Sequence, residues 1–168
     1  MTAEAIVRLA LASGRWFINS NKERTGRPLV VIGKDTRVSG YMVEAALVAG
    51  FTSIGMACRL LGPMPTAGVS YLTQSLRADL GVMISASHNP FHDNGIKLFG
   101  PDGSKLADEI EDGISTLAAG SIALSEPTDL GRASRLLDSV GRYVEFAKST
   151  LDPQVRFDGI KVVVDCAN

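Results

Sequence analysis

Apolar residues recur along the chain at two spacings. Over residues 2–20, Ile6, Leu9, Ala10, Ser13, Trp16 and Phe17 fall on one face at helical spacing. Thr2 stands where its hydroxyl caps that helix, and Glu4 lies near the positive helix start. Residues 19–26 are polar and turn-rich. Residues 28–33 form a short continuous run rich in β-branched side chains, the pattern of a strand buried on both faces. A second helix is predicted over 39–53, with Met42, Ala45, Ala46, Ala49 and Gly50 as its small, closely packing side. Residues 56–61 read as a strand closed by Gly62-Pro63. Pro65 suits the first turn of a third helix over 67–76. Strand pattern returns at 79–85 and at 96–99. Residues 106–117 predict a helix whose outer face is acidic and solvated, through Asp108, Glu109, Glu111 and Asp112. Residues 118–134 are punctuated by Gly, Ser and Pro and read as loop. A last helix over 140–151 is broken by Asp152-Pro153, and 160–165 read as a strand.

Strands alternating with helices predict an α/β layer fold with a largely parallel sheet. The strand at 160–165 is as apolar as those of the interior, yet no helix follows it. The expected organisation is therefore one domain over 1–153, with 154–168 opening a second, and a molecule longer than these 168 residues.

Composition narrows the class. Hydrophobic residues are 45% and charged residues 21%, ordinary globular usage that excludes wholesale disorder. Seventeen basic against eighteen acidic side chains give a net charge of -1, so the chain carries no bulk electrostatic footprint for nucleic acid. Its longest apolar runs fall far short of the ~20 residues that span a bilayer, and Arg8 and Arg15 interrupt the N-terminal stretch. Neither nucleic acid nor membrane is an expected partner. Cys58 and Cys166 form no disulfide framework or zinc spacing and read as reduced packing residues of a cytoplasmic protein.

Candidate chemistry concentrates in one stretch, Ser85-Ala86-Ser87-His88-Asn89-Pro90-Phe91-His92-Asp93-Asn94-Gly95-Ile96-Lys97. It begins at the carboxyl end of a buried strand, where open α/β sheets bind ligands. Asn89-Pro90 and Asp93-Asn94-Gly95 are turn formers that fold the loop back, so that Ser87 and Lys97 face each other across its mouth. A serine hydroxyl needs a base, a cation or a metal to act. Neighbours on an extended chain point apart, so no direct Ser87–His88 pair is expected. The Gly-x-Ser-x-Gly elbow of acyl-transfer enzymes is missing. Phosphoryl transfer fits better: a phosphate on Ser87 would demand cations, and Lys97, Lys34 and Arg37 are available. A second stretch, Gly33-Lys34-Asp35-Thr36-Arg37-Val38-Ser39-Gly40, also follows a buried strand and opens a helix. It lacks phosphate-loop spacing, and Asp35 and Arg37 are equally placed to pair with each other or cap the helix.

Ser85-Ala86-Ser87-His88-Asn89-Pro90 resembles the phosphoserine signature of the α-D-phosphohexomutases, and Asp93-Asn94-Gly95-Ile96-Lys97 resembles its continuation. The 33–40 stretch and Gly62-Pro63-Met64-Pro65-Thr66 look most like the bacterial branch that acts on glucosamine phosphate. The likeness runs to the Val163-Val164-Asp165-Cys166-Ala167-Asn168 end. It implies a three-layer α/β/α domain with a mixed, largely parallel sheet. It further implies interconversion of glucosamine 6-phosphate and glucosamine 1-phosphate, on the route to UDP-N-acetylglucosamine and the cell wall, through a phosphoserine at Ser87 and a bisphosphorylated sugar. In the same terms Lys97 and His88 match catalytic positions, and Arg37, Lys34 and Asn89 line the phosphate site. The resemblance also implies Mg²⁺ bound partly through the phosphate on Ser87, and activation by a sugar 1,6-bisphosphate or other phosphoryl donor. Phosphomannomutase or phosphoglucomutase activity, or a non-catalytic phosphate-binding module, are the alternatives. The family's Phe-Gly-Thr-Asp-Gly-Ile-Arg-Gly and Asp-Gly-Asp-Gly-Asp-Arg segments are not in these residues. The resemblance therefore implies that the chain works only with the remaining mutase domains and is inactive alone.

Overall fold

A computed structural model describes residues 1–21 and 25–165. The central part of the turn-rich 19–26 segment, and Cys166, lie outside the described residues. Helix α1 (Ala3–Ser20) begins where the sequence places its cap: the Ala5 amide donates to Thr2 Oγ1 at 3.3 Å. Strand β1 (Leu29–Lys34), helix α2 (Ser39–Ser53), strand β2 (Ala57–Pro63) and helix α3 (Thr66–Ser75) follow in alternation. Pro65 precedes α3 in extended conformation and stands as its cap residue, one step before the first turn. Strand β3 (Leu80–Ile84), strand β4 (Ile96–Phe99), helix α4 (Asp108–Ala119), strand β5 (Ala133–Arg135) and helix α5 (Ser139–Ser149) complete the chain.

The sheet order is β4-β3-β1-β2-β5. β1 pairs in parallel with both β2 and β3, β2 pairs in parallel with β5, and β4 runs antiparallel to β3. The result is the largely parallel α/β architecture that the alternation predicts, mixed through β4 as the family resemblance implies. Of the three interior strands, β1 and β3 are buried at nearly every position, as continuous β-branched runs require, while β2 is only partly buried. One core, with Val30, Ile32, Leu80 and Val82 from the sheet, packs under α1, α2 and α4; the other, with Val31, Met83 and Phe99, packs under α3. A Cβ at Gly50 would lie 2.6 Å from Ala10 Cβ and 2.8 Å from the Val7 carbonyl, so this glycine sets the close crossing of α1 and α2.

Three expectations are corrected. The buried face of α2 is Val43, Ala46, Leu47, Gly50 and Phe51, while Met42 is exposed and Ala45 and Ala49 lie outside that face. The larger apolar side chains take the interior because they remove more surface from water. Strand β5 lies where loop is expected; three residues with a mostly exposed pattern are too short to show a period. Residues 160–165 form no strand: Val162, Val163 and Val164 are 72%, 86% and 73% exposed. An apolar run becomes a strand only when a neighbour supplies its hydrogen bonds, and no described residue does so here.

Candidate functional site

Parallel pairing brings the carboxyl ends of β1, β2 and β3 to one edge of the sheet. From β1 the chain crosses to β2 on one side, and β3 lies on the other. The crevice between β1 and β3 is thus a switch point, where α/β sheets bind ligands. Both candidate stretches sit there: 33–40 follows β1, and the serine loop 85–95 joins β3 to β4. The loop is closed at its base, where the Ser85 amide donates to the Gly95 carbonyl at 2.9 Å. A Cβ at Gly95 would stand 2.5 Å from the Ser85 carbonyl oxygen, so only glycine permits this closure. The Asp35 amide donates to the Ile84 carbonyl at 2.9 Å and ties the two stretches together.

Ser87 is exposed and adopts a left-handed backbone, with φ 59°. A non-glycine residue there costs about 1 kcal/mol and needs its surroundings to hold it. Both sides of the residue are held. Its amide donates to Ser85 Oγ at 3.0 Å, and its carbonyl accepts from Arg37 Nη2 at 3.0 Å. The left-handed turn also overturns the expectation that Ser87 and His88 point apart: Ser87 Oγ lies 3.3 Å from His88 Nδ1. The reasoning from an extended chain fails because this residue is not extended.

The cations divide into committed and uncommitted groups. Lys34 is buried; its Nζ donates to Glu44 Oε2 at 2.7 Å and stands 4.3 Å from the Tyr41 ring centroid. Its charge is neutralised inside the α2 packing, which counts against the phosphate-lining role that the sequence suggests. Arg37, with only 14% of its side chain exposed, is committed as well. Its Nε donates to Asp35 Oδ2 at 3.0 Å. Nη1 donates to the carbonyls of Pro90 and Asp93, and Nη2 to those of Ser87 and Asn89. Lys97 pairs with Met83 across the β3–β4 ladder, and its side chain makes no hydrogen bond or ion pair among the described residues. It is the lysine at this edge whose charge is available.

Asn89 contributes its backbone to the turn, donating from its amide to Ala86 O at 3.2 Å, and its side chain is exposed. Asn94 Oδ1 is buried with no hydrogen-bond partner among the described residues. His92 is exposed, 3.8 Å from Asp93 and edge-on to the Phe91 ring. Ser85, which fixes the Ser87 amide, is not among the candidates that the sequence singles out; a hydroxyl two residues before a turn residue is the signal that could have found it. No group of three His, Cys, Asp or Glu side chains converges among the described residues. Asp35 is held by Arg37, so the described residues do not form a divalent-metal site by themselves. Cys58 is buried in β2, away from this edge, and burial pushes its thiol up from an ordinary 9.0 to about 12.

The family profile described as "Phosphoglucomutase/phosphomannomutase, alpha/beta/alpha domain I" matches residues 1–122. The chain is 59% identical over 168 residues to a phosphoglucosamine mutase of Paracoccus denitrificans. It is 58% identical over 170 residues to one of Maricaulis maris. In both comparisons all of this chain is covered but only 37% of the relative, so the chain spans about a third of the length of the curated relatives it matches. Among solved structures, a protein assigned as a phosphomannomutase from Thermus thermophilus superposes with a TM-score of 0.76 at 31% identity. That superposition covers 90% of this chain and 33% of that one. A family member from Burkholderia thailandensis superposes with a TM-score of 0.71 at 22% identity, a likeness of fold. Among the described residues no helix is long and apolar enough to cross a membrane.

Proposed function

The chain belongs to the phosphoglucomutase/phosphomannomutase family, and from that premise we propose that it is the phosphoserine domain of a phosphoglucosamine mutase. The whole protein then interconverts glucosamine 6-phosphate and glucosamine 1-phosphate in the cytoplasm, supplying the precursor of UDP-N-acetylglucosamine. In this reading residues 154–168 lead into a second domain, and the domains that close the sugar cleft lie in the part of the relatives' length that the chain does not span.

One observation carries the reading: an exposed serine, held in a left-handed turn at the sheet's switch point, with its hydroxyl 3.3 Å from an imidazole nitrogen. The phosphoryl group on Ser87 Oγ passes to the free sugar hydroxyl. The P–O bond to serine breaks, a P–O bond to the sugar forms, the sugar hydroxyl's proton ends on the Ser87 oxygen, and a bisphosphorylated sugar results. Its other phosphoryl group returns to Ser87, whose hydroxyl proton is within reach of His88 Nδ1. Lys97, which has no competing carboxylate among the described residues, stabilises charge on the transferring group. Mg²⁺ would neutralise phosphate charge when bound, with the phosphate on Ser87 as its ligand from the described residues. Glucosamine is favoured over mannose or glucose because the relatives named above at 58–59% identity are phosphoglucosamine mutases.

In the mutase-length protein, Ser87→Ala is expected to lower turnover on the order of 10⁴-fold, since the residue that accepts and donates the phosphoryl group is gone. Intact-mass and peptide mass spectrometry should find phosphate on Ser87 in the unaltered protein. Normal isomerisation by the alanine variant would overturn the reading.

A further inference from the structure

The mutase reading treats Arg37 as a residue that lines a phosphate, but its hydrogen bonds describe a different task. A guanidinium has five N–H donors. In Arg37 all five are engaged: one with the Asp35 carboxylate and four with main-chain carbonyls of the serine loop, at Ser87, Asn89, Pro90 and Asp93. Asp35 itself is fixed twice over, its amide bonded to Ile84 O and its Oδ1 accepting from the Arg37 amide at 3.1 Å. The carboxylate thus sets the plane of the fork, and the fork gathers four carbonyls that would otherwise repel one another. With 14% of its side chain exposed and no donor remaining, Arg37 has nothing left to offer an incoming phosphate.

We infer that Arg37, oriented by Asp35, is the positioning residue of the serine loop: it holds Ser87 in its left-handed turn, so that the hydroxyl stays aimed into the switch-point crevice beside His88. The inference rests on the mutase reading for what the aimed hydroxyl does, but the clamp itself can be tested without it. Four acceptors spread over seven residues need a planar fork with fixed directions. A lysine keeps the positive charge and the stem but offers donors from a single point, so it cannot span them. A residue needed only for its charge near phosphate would tolerate lysine.

The experiment has two arms. On the 168-residue chain, amide hydrogen exchange by NMR compares the unaltered protein with Arg37→Lys and with the milder Asp35→Asn. Exchange is expected to quicken at the hydrogen-bonded amides of Ser87, Asn89 and Asp93 in both variants, more in Arg37→Lys, while the amides of β1 and β3 keep their protection. On the mutase-length protein, Arg37→Lys is expected to lower kcat about 10²-fold, the scale of an ångström misplacement of the reacting group, with KM within about twofold. Guanidinium ion at millimolar concentration should restore part of kcat in an Arg37→Gly variant, and methylammonium should not. Unchanged loop exchange, or wild-type kcat in Arg37→Lys, overturns the clamp, as does equal rescue by methylammonium. Should Ser87 carry no phosphate and Ser87→Ala isomerise normally, the mutase reading falls, while the exchange arm still decides the clamp.

Discussion

Two lysines near the same sheet edge have opposite parts, and the difference is one of partners rather than of residue type. Lys34 is paired with Glu44 where the side chains are only 9% and 12% exposed. Glu44→Ala would leave a buried ammonium uncompensated, and is expected to cost about 3 kcal/mol in urea unfolding. Lys97 is half-buried and unpaired among the described residues, so Lys97→Ala should leave the unfolding midpoint nearly unchanged while lowering kcat about 10²-fold in the mutase-length protein. The reverse outcome, an activity loss for neither or a stability loss for Lys97→Ala, would place the available charge elsewhere. Sequence alone could not sort these two lysines, because Glu44 lies a helical segment away from Lys34 and no local spacing announces their contact. It could not foresee the Ser87–His88 approach either. That contact depends on a positive φ, a backbone state for which an ordinary serine gives no advance notice.

At the scale of elements, the strong periods were legible. The continuous β-branched run at β1, the capped amphipathic α1 and the four-residue β4 all lie where their patterns predict. What escaped was decided by neighbours. β5 is strand because β2 offers it an edge, with Cys58, Arg59 and Leu60 paired to Ala133, Ser134 and Arg135. Residues 160–165 have better strand composition and no edge among the described residues, and they lie open. The crossing of α1 and α2 gives a sharp check. Gly50→Ala adds a carbon that meets Ala10 and the Val7 main chain, where only a backbone shift can relieve it. A loss of about 1–3 kcal/mol is expected in chemical denaturation. A neutral or stabilising result, as helix propensity alone would give, would mean that the two helices are not so tightly apposed.

For the molecule as a whole, pH acts through the core as well as through the surface. Because burial raises the Cys58 thiol from 9.0 to about 12, the folded state holds that proton more tightly than the unfolded chain does. The associated stability is fully present below pH 9 and is lost as pH climbs towards 12. Relative to Cys58→Ala, the unaltered protein should therefore lose part of its stability advantage between about pH 9 and 11, read from denaturation midpoints across that range. A constant difference would show that the thiol titrates alike in both states. The family likeness adds that this folded unit corresponds to only about a third of its relatives' length. The sheet can still organise a serine loop by itself, since the contacts that shape it, from Asp35 and Arg37 to Ser85 and Gly95, are made within these residues.

Those contacts have a mechanical consequence. The loop is anchored to the ends of β3, β4 and β1, like a platform on three legs, and all three legs stand on the hydrogen-bonded ladder of the sheet. Thermal breathing of the outer helices therefore has little leverage on the Ser87 hydroxyl. In the proposed reading, a longer mutase that rearranges around this platform would find the serine oxygen again, on every cycle, where it was left.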